Sequence, residues 1–240
     1  MELVFLIMEV VKVRDFSLNN IILVSSLPDM GKVGGLVTQH LQKQLDAKPM
    51  LKITLSNKPW VNHKDGIISI PKDEYTLSVD EKNNIMIFSG NNQPPESTDV
   101  IKLSDKILSE VKKIGNIKLV ITAGGYMPVE QSDTNSVYGV ATNEASLELL
   151  KKHKIAKLGN EVGSITWFNG LIMGKALENK IDAVGLFGEI SDTDTEQYKA
   201  ASNVIKKIQD IINLDISTVE IDKKIPNPIS KMQNERPGIG

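Results

Sequence analysis

Ile21-Ile22-Leu23-Val24-Ser25-Ser26-Leu27-Pro28-Asp29-Met30-Gly31-Lys32-Val33-Gly34-Gly35-Leu36-Val37 is the stretch on which the fold turns. Its opening run is continuously apolar and rich in β-branched residues, as in a strand buried on both faces of a sheet. Pro28-Asp29 breaks that run. Beyond it Val33, Leu36, Val37, His40, Leu41 and Leu45 recur at helical spacing, with polar residues opposite. The segment therefore reads as strand, glycine-containing turn, helix.

The same alternation extends outward in both directions. Leu3 to Val13 reads as a strand; Glu2 and Glu9 interrupt it, and neither a basic lead nor a small-residue cleavage site marks it as a signal peptide. Met50 to Leu55 is another strand. Tyr75, Leu77 and Val79 alternate with polar residues, Ile85 to Ser89 is a buried-strand run, and Lys82-Asn83-Asn84 between them reads as a hairpin turn. Gly90 to Thr98, with Pro94-Pro95, is a loop. Asp99 to Ile114 carries Val100, Leu103, Ile107, Leu108 and Val111 at helical spacing, with Gly115 placed to end the helix. Ile117 to Thr122 is a strand running into Ala123-Gly124-Gly125-Tyr126.

Further along, Asn143 suits the N-cap of a helix through Leu147, Leu149 and Leu150. Phe168 to Leu177 reads as a helix in which Gly170 and Gly174 are spaced for close approach. Ala183 to Phe187 is a buried strand, and Ser191-Asp192-Thr193-Asp194 offers caps for a long helix through Val204, Ile208, Ile211 and Ile212. Strands alternating with helices predict an α/β fold, a mostly parallel sheet flanked by helices, with an antiparallel hairpin at residues 75–88. One domain is expected over residues 1–215, with a mostly irregular tail over 216–240.

Composition narrows the function classes. The 240 residues are 40% hydrophobic and 24% charged, enough to bury a core without disulfides or metals. A formal net charge of -2 lacks the basic excess of nucleic-acid binders, so no nucleic-acid partner is expected. Cysteine is absent, which excludes disulfides, thiolate metal sites and thiol nucleophiles and fits a cytoplasmic protein. No apolar stretch approaches the roughly 20 residues that span a bilayer, so no membrane partner is expected.

Catalytic motifs find little purchase. Gly31-Lys32 is followed by Val33, which breaks the P-loop pattern, and no Gly-x-Gly dinucleotide fingerprint is present. Gly34 and Gly35 read instead as positions that let the helix pack tightly against the sheet. His40, His63 and His153 lie far apart without metal-ligand spacing, and His40 falls on the apolar face of its helix. No Gly-x-Ser-x-Gly elbow exists. Asp192 and Asp194 read as helix-terminus residues. Glu189 is harder to dismiss, because it emerges directly from an apolar strand, where sites in such folds gather. Lys151-Lys152-His153-Lys154 complements a helix C-terminus. No catalytic, cofactor-binding or metal-binding residue is assigned.

Five segments, taken in order, resemble the PAC2 family of proteasome assembly chaperones and their archaeal and bacterial relatives. They are Ser26 to Gly35, Ala123-Gly124-Gly125-Tyr126, Val137-Tyr138-Gly139-Val140-Ala141-Thr142-Asn143, Gly163 to Leu171 with its Asn169-Gly170-Leu171, and Gly185-Leu186-Phe187-Gly188-Glu189. The resemblance runs from about Leu23 to Glu189. It implies a phosphorylase/hydrolase-like sandwich, a homo-oligomer, and binding to proteasome α subunits without cofactors. Some members carry a hydrophobic–Tyr–any-residue ending that docks into the α ring; here the last residues read Arg236-Pro237-Gly238-Ile239-Gly240, so binding through the folded surface is expected instead. The candidate pocket or partner surface is Pro28, Met30, Gly31, Gly34, Gly124, Gly125, Tyr138, Asn169 and Glu189. The rival reading is a nucleoside phosphorylase- or hydrolase-like enzyme, or a small-molecule-binding protein, with its pocket near the same residues. A concave pocket with a perturbed carboxylate would favour that rival; a smooth surface would favour the chaperone.

Overall fold

The computed structural model describes residues 8–226, apart from 57, 59 and 130–135. In chain order the strands and helices are β1 (Met8–Lys12), β2 (Ile21–Ser25), α1 (Val33–Gln44), β3 (Lys48–Leu55), β4 (Asn62–Lys64), β5 (Ile67–Ser69), β6 (Asp73–Asp80), β7 (Ile85–Gly90), α2 (Ser97–Ile114), β8 (Ile117–Tyr126), β9 (Val137–Ala141), α3 (Glu144–Lys152), β10 (Ala156–Lys157), α4 (Trp167–Glu178), β11 (Ala183–Glu189), α5 (Tyr198–Ile212) and α6 (Val219–Asp222). A 3-10 turn, Met30–Lys32, joins β2 to α1.

Nine strands form one mixed sheet in the order β1-β3-β6-β7-β2-β8-β11-β9-β10. At its centre β7, β2, β8 and β11 run parallel, as the continuous apolar runs predict. The antiparallel hairpin of residues 75–88 is present as β6 and β7, with Tyr75 opposite Gly90 and Asp80 opposite Ile85. β1, β3 and β6 extend that side antiparallel, and β9 joins β11 antiparallel on the other. Helices cover both faces. Leu23, Leu77 and Phe88 pack with Leu103, Ile107 and Val111 of α2 and with Phe168 and Ile172 of α4. Val24, Ile87 and Ile121 pack on the opposite face with Val33, Val37 and Leu41 of α1 and with Val204, Ile205 and Ile208 of α5. Alternate side chains of one strand thus feed two cores.

Several local expectations meet a physical test. Asn143 caps α3 by accepting the Ser146 N–H at 2.8 Å. A Cβ on Gly34 would sit 2.5 Å from the Leu27 carbonyl oxygen and 2.7 Å from that of Ala123, so only glycine lets α1 lie this close to β2 and β8. Gly170 is equally constrained, since a Cβ there would lie 2.0 Å from the Ile165 oxygen, but Gly174 faces open space and makes no close approach. His40 is buried, with Nε2 2.7 Å from the Ser217 carbonyl oxygen.

Asp192 and Asp194 do not cap the last long helix. α5 begins only at Tyr198, with Gln197 in the cap position. Residues 191–197 are held elsewhere: the Gly31 N–H donates to the Thr193 carbonyl, and the Gln197 N–H donates to the Gly31 carbonyl. Asp192 closes a turn within the loop by accepting the Asp194 N–H at 2.9 Å. In the N-terminal run the described strand covers Met8–Lys12, and Leu3 to Ile7 lie outside the described residues. Residues 227–240 of the expected tail also lie outside them, while Ile216 and, in α6, Ile221 are buried. No helix among the described residues is long and apolar enough to cross a membrane.

Candidate functional site

The centre of the sheet opens where β2 and β8 part. Their pairing ends at Val24 opposite Ile121, and side chains take over the hydrogen bonding beyond it. The Ser26 hydroxyl oxygen accepts the Ala123 N–H at 2.6 Å. Asn169, brought in by the first turn of α4 and almost fully buried, accepts the Leu27 N–H at 2.8 Å and donates to the Leu27 and Ala123 carbonyls at 3.0 and 3.1 Å. Asp29 closes the series: one carboxylate oxygen accepts the Gly34 N–H at 2.9 Å and the other the Gly125 N–H at 2.7 Å. Backbone groups that would be orphaned at a strand fork are thereby satisfied.

Above this fork lies a cleft of about 420 Å³. It sits beyond the carboxyl ends of the parallel strands β2 and β8, from which the chain leaves toward opposite edges of the sheet, β2 through α1 to β3 and β8 to β9. Such a switch point is where open α/β sheets form crevices. Asp29, Gly125, Tyr126 and Asn169 line the inner part, with Met30, Met127 and Trp167 at the rim. The rim side chains are about half exposed, at 47%, 47% and 49%. Trp167 holds a left-handed backbone at φ 56, an uncommon conformation for a bulky residue. Thr166 and Trp167 also border a shallower apolar groove between α2 and α4, beside Ile101 and Leu171.

Burial raises the Asp29 carboxyl from 3.8 to about 7, with the N–H bonds from Gly34 and Gly125 pulling it back down. The Tyr126 hydroxyl donates to Glu161 at 2.6 Å and is pushed up to about 12, chiefly by that bond, then by desolvation and by the charge of Glu161. The Glu161 carboxylate thus places a negative charge beside Tyr126 on the cleft lining.

The structure brings some of the sequence-derived candidates to this cleft and leaves others outside its lining. Met30, Gly125 and Asn169 line the cleft. Gly34 and Gly124 underlie it: a Cβ on Gly124 would meet the Asp29 carboxylate at 2.6 Å. Pro28 packs against Gly35, and Gly31 against Gln197, with Gly31 at φ 63 where a left-handed turn requires glycine. The Tyr138 ring stands edge-on to Tyr126, centroids 5.1 Å apart, and Glu189, buried at the end of β11, pairs in register with Tyr126. Asp29, Tyr126 and Trp167 escaped the sequence reading. In the sequence Asp29 stands within the glycine-containing turn and the first PAC2-like segment, but no pattern there singles out its carboxyl.

A second feature also escaped it. β4 and β5 form a separate hairpin that presents Trp60, Val61, Ile67, Ile68 and Ile70 at 53%, 51%, 75%, 66% and 66% exposure. Asp65-Gly66 at its tip, with φ of 52 and 82, was the legible signal, since Asp-Gly is a preferred pair for a tight hairpin turn. Lys58 fastens its base to the body: Nζ lies 2.8 Å from the buried carboxylate of Asp73 on β6 and 5.5 Å from the Trp60 ring centroid.

Comparison with known proteins adds four findings. The family model described as "PAC2 family" matches residues 23–225. An uncharacterized protein of Methanocaldococcus jannaschii is 27% identical over 219 residues, covering 89% of this chain and 82% of the relative. Among solved structures, Pyrococcus furiosus PbaB, described as an archaeal proteasome activator, superposes with a TM-score of 0.78 at 23% identity, covering 94% of this chain and 97% of PbaB. Pyrococcus furiosus PbaA, described as an archaeal homolog of proteasome-assembly chaperone, gives 0.74 at 24% identity, with 95% and 93% covered.

Proposed function

The chain belongs to the PAC2 family, and on that premise we propose that it is a non-enzymatic assembly factor that binds proteasome α subunits as a homo-oligomer in the cytoplasm. The observation that carries the reading is the β4–β5 hairpin. It holds five large apolar side chains, each more than half exposed, on a two-stranded projection. A concentrated apolar surface of this kind on a soluble fold marks a contact with another protein. The descriptions of PbaA and PbaB lend the proteasome as the partner system.

Light-scattering mass determination of the protein, alone and mixed with proteasome α subunits from the same source, tests it. A mass above one chain for the protein alone and a mixed complex with α subunits are expected. Ile68→Lys should lower one or both masses while leaving the fold intact. A monomer that forms no complex at any salt would overturn the reading.

A second reading has a specific observation in its favour. The cleft is concave and holds a raised carboxyl on Asp29, as a phosphorylase/hydrolase-like enzyme would. Against it, the Asp29 carboxylate already takes the N–H groups of Gly34, in the first turn of α1, and of Gly125. With those donors taken, fewer free N–H groups remain at the start of α1 for a substrate phosphate. Calorimetric titration with phosphate and with purine nucleosides separates the two: binding of either favours the enzyme, and silence favours the assembly factor.

A further inference from the structure

We propose that the cleft between β2 and β8 is a binding site for an organic cation, a protonated amine or guanidinium carried on an apolar stem. The inference is independent of the hairpin and of the proteasome reading. Its volume, about 420 Å³, lies within the range of roughly 300–1,000 Å³ typical of small-ligand sites.

Four features define the ligand. The lining is mainly apolar, with the thioether residues Met30 and Met127 and the aromatic residues Tyr126, Trp167 and Phe187. Aromatic faces attract cations through their quadrupole, and thioethers accept apolar stems of varied shape. The charged group on the lining is the Asp29 carboxyl, and no Lys, Arg or His occurs among the described lining residues. Glu161, bonded to the Tyr126 hydroxyl, adds negative charge at the mouth. An anion would oppose ionisation of Asp29 and meet the Glu161 carboxylate, whereas a neutral ligand would leave both unused. Finally, Trp167 is held at φ 56 between the cleft and the neighbouring groove, and Phe168 beside it is anchored in the core, with its N–H donated to Gln93. Backbone strain at a half-exposed aromatic on a cleft rim is the kind of cost that persists where a side chain must be held in place.

Asp29 does not need to abandon its partners to receive a cation. Each carboxylate oxygen accepts one backbone N–H, and each retains a further lone pair. A bound cation would favour the ionised form of a carboxyl that burial otherwise holds partly protonated near neutral pH.

The sequence holds two tryptophans, so Trp60→Phe leaves Trp167 as the sole tryptophan reporter. In that background, benzylamine should give a saturable change in tryptophan emission. Benzyl alcohol, the neutral counterpart, should bind about tenfold more weakly or worse, and benzoate not at all. Asp29→Asn should reduce benzylamine affinity while leaving benzyl alcohol unchanged. Because Asp29 also ties β2 to β8, the exposed Glu161→Gln serves as the second variant, with a loss of about threefold expected. Equal binding of benzylamine and benzyl alcohol, preferred binding of benzoate, or no saturable response to benzylamine would overturn the proposal. Agmatine and a capped Leu-Arg-Leu peptide identify the source. Tighter binding of the peptide assigns the site to a basic side chain of a partner protein, and tighter binding of agmatine assigns it to a free amine.

Discussion

The side-chain amide of Asn169 bonds both backbone groups of Leu27, accepting its N–H at 2.8 Å and donating to its carbonyl at 3.0 Å. The same nitrogen reaches the Ala123 carbonyl at 3.1 Å. An amide from α4 thus stands in for a rung of the ladder between β2 and β8, just where the two strands separate to open the cleft. The buried fork costs little because its polar groups keep partners.

Asn169→Ala should therefore destabilise the protein by about 3 kcal/mol, since it strands buried backbone groups that water cannot reach. Asn169→Asp should do no better, because it turns a carboxylate toward two carbonyl oxygens. Urea unfolding checks both, and a loss below about 1 kcal/mol for the alanine variant would deny Asn169 this role.

Two glycine-to-alanine substitutions should act in opposite directions. Gly34→Ala drives a methyl to 2.5 Å from the Leu27 oxygen and should cost at least about 1–3 kcal/mol by forcing α1 off the sheet. Gly174→Ala meets nothing within 4 Å and should stabilise α4 by roughly 0.5–1 kcal/mol. Thermal unfolding of the pair reads the difference, and similar effects from both would contradict the packing described here.

Asp29 predicts a pH dependence. Its carboxyl lies near 7 in the folded protein against an ordinary 3.8, so between those values the folded chain holds a proton that the unfolded chain has released. Its contribution to stability is greatest below the unfolded value and declines as pH rises from about 4 to about 7. The stability of wild type minus that of Asp29→Asn should fall across this window and level off above it. A difference independent of pH would return Asp29 to the ordinary carboxylate range.

Lys58 and Asp73 form a largely buried pair, 2.8 Å apart, at the base of the exposed hairpin. Lys58→Met should cost about 3–5 kcal/mol if Asp73 stays charged, since it removes the cationic partner of a buried carboxylate. Faster amide hydrogen exchange over residues 60–70 should accompany that loss. Unchanged exchange there would show that the hairpin is held by other contacts.

Much of the architecture could be read from residue patterns. Ile21 to Ser25 and Ile85 to Ser89 announced central strands because burial on both faces demands unbroken apolar residues. Asn143 announced the start of α3 because few side chains satisfy an orphan helix N–H. The pattern was weaker where strands are short and exposed. β4 and β5 are fully exposed three-residue strands with no buried face to impose alternation, and only Asp65-Gly66 signalled them. The acidic residues before α5 misled for a related reason. Asp192 makes the local turn its type favours, but the tie between Gly31 and Thr193 delays the helix to Tyr198.

The sequence by itself determined the alternation of strands and helices, the glycine turn after β2 and, through its ordered motifs, the family. Those features depend on local backbone preference and on which side chains avoid water, and both are written in neighbouring residues. Only the tertiary structure decided that Asp29, Tyr126 and Trp167 share one cleft, that Glu161 bonds Tyr126, and that Asn169 rather than backbone pairing joins Leu27 to Ala123. These contacts bridge chain separations such as the 142 residues between Leu27 and Asn169. Geometry over that distance is fixed by how the sheet forks and where α4 packs, which no local pattern encodes.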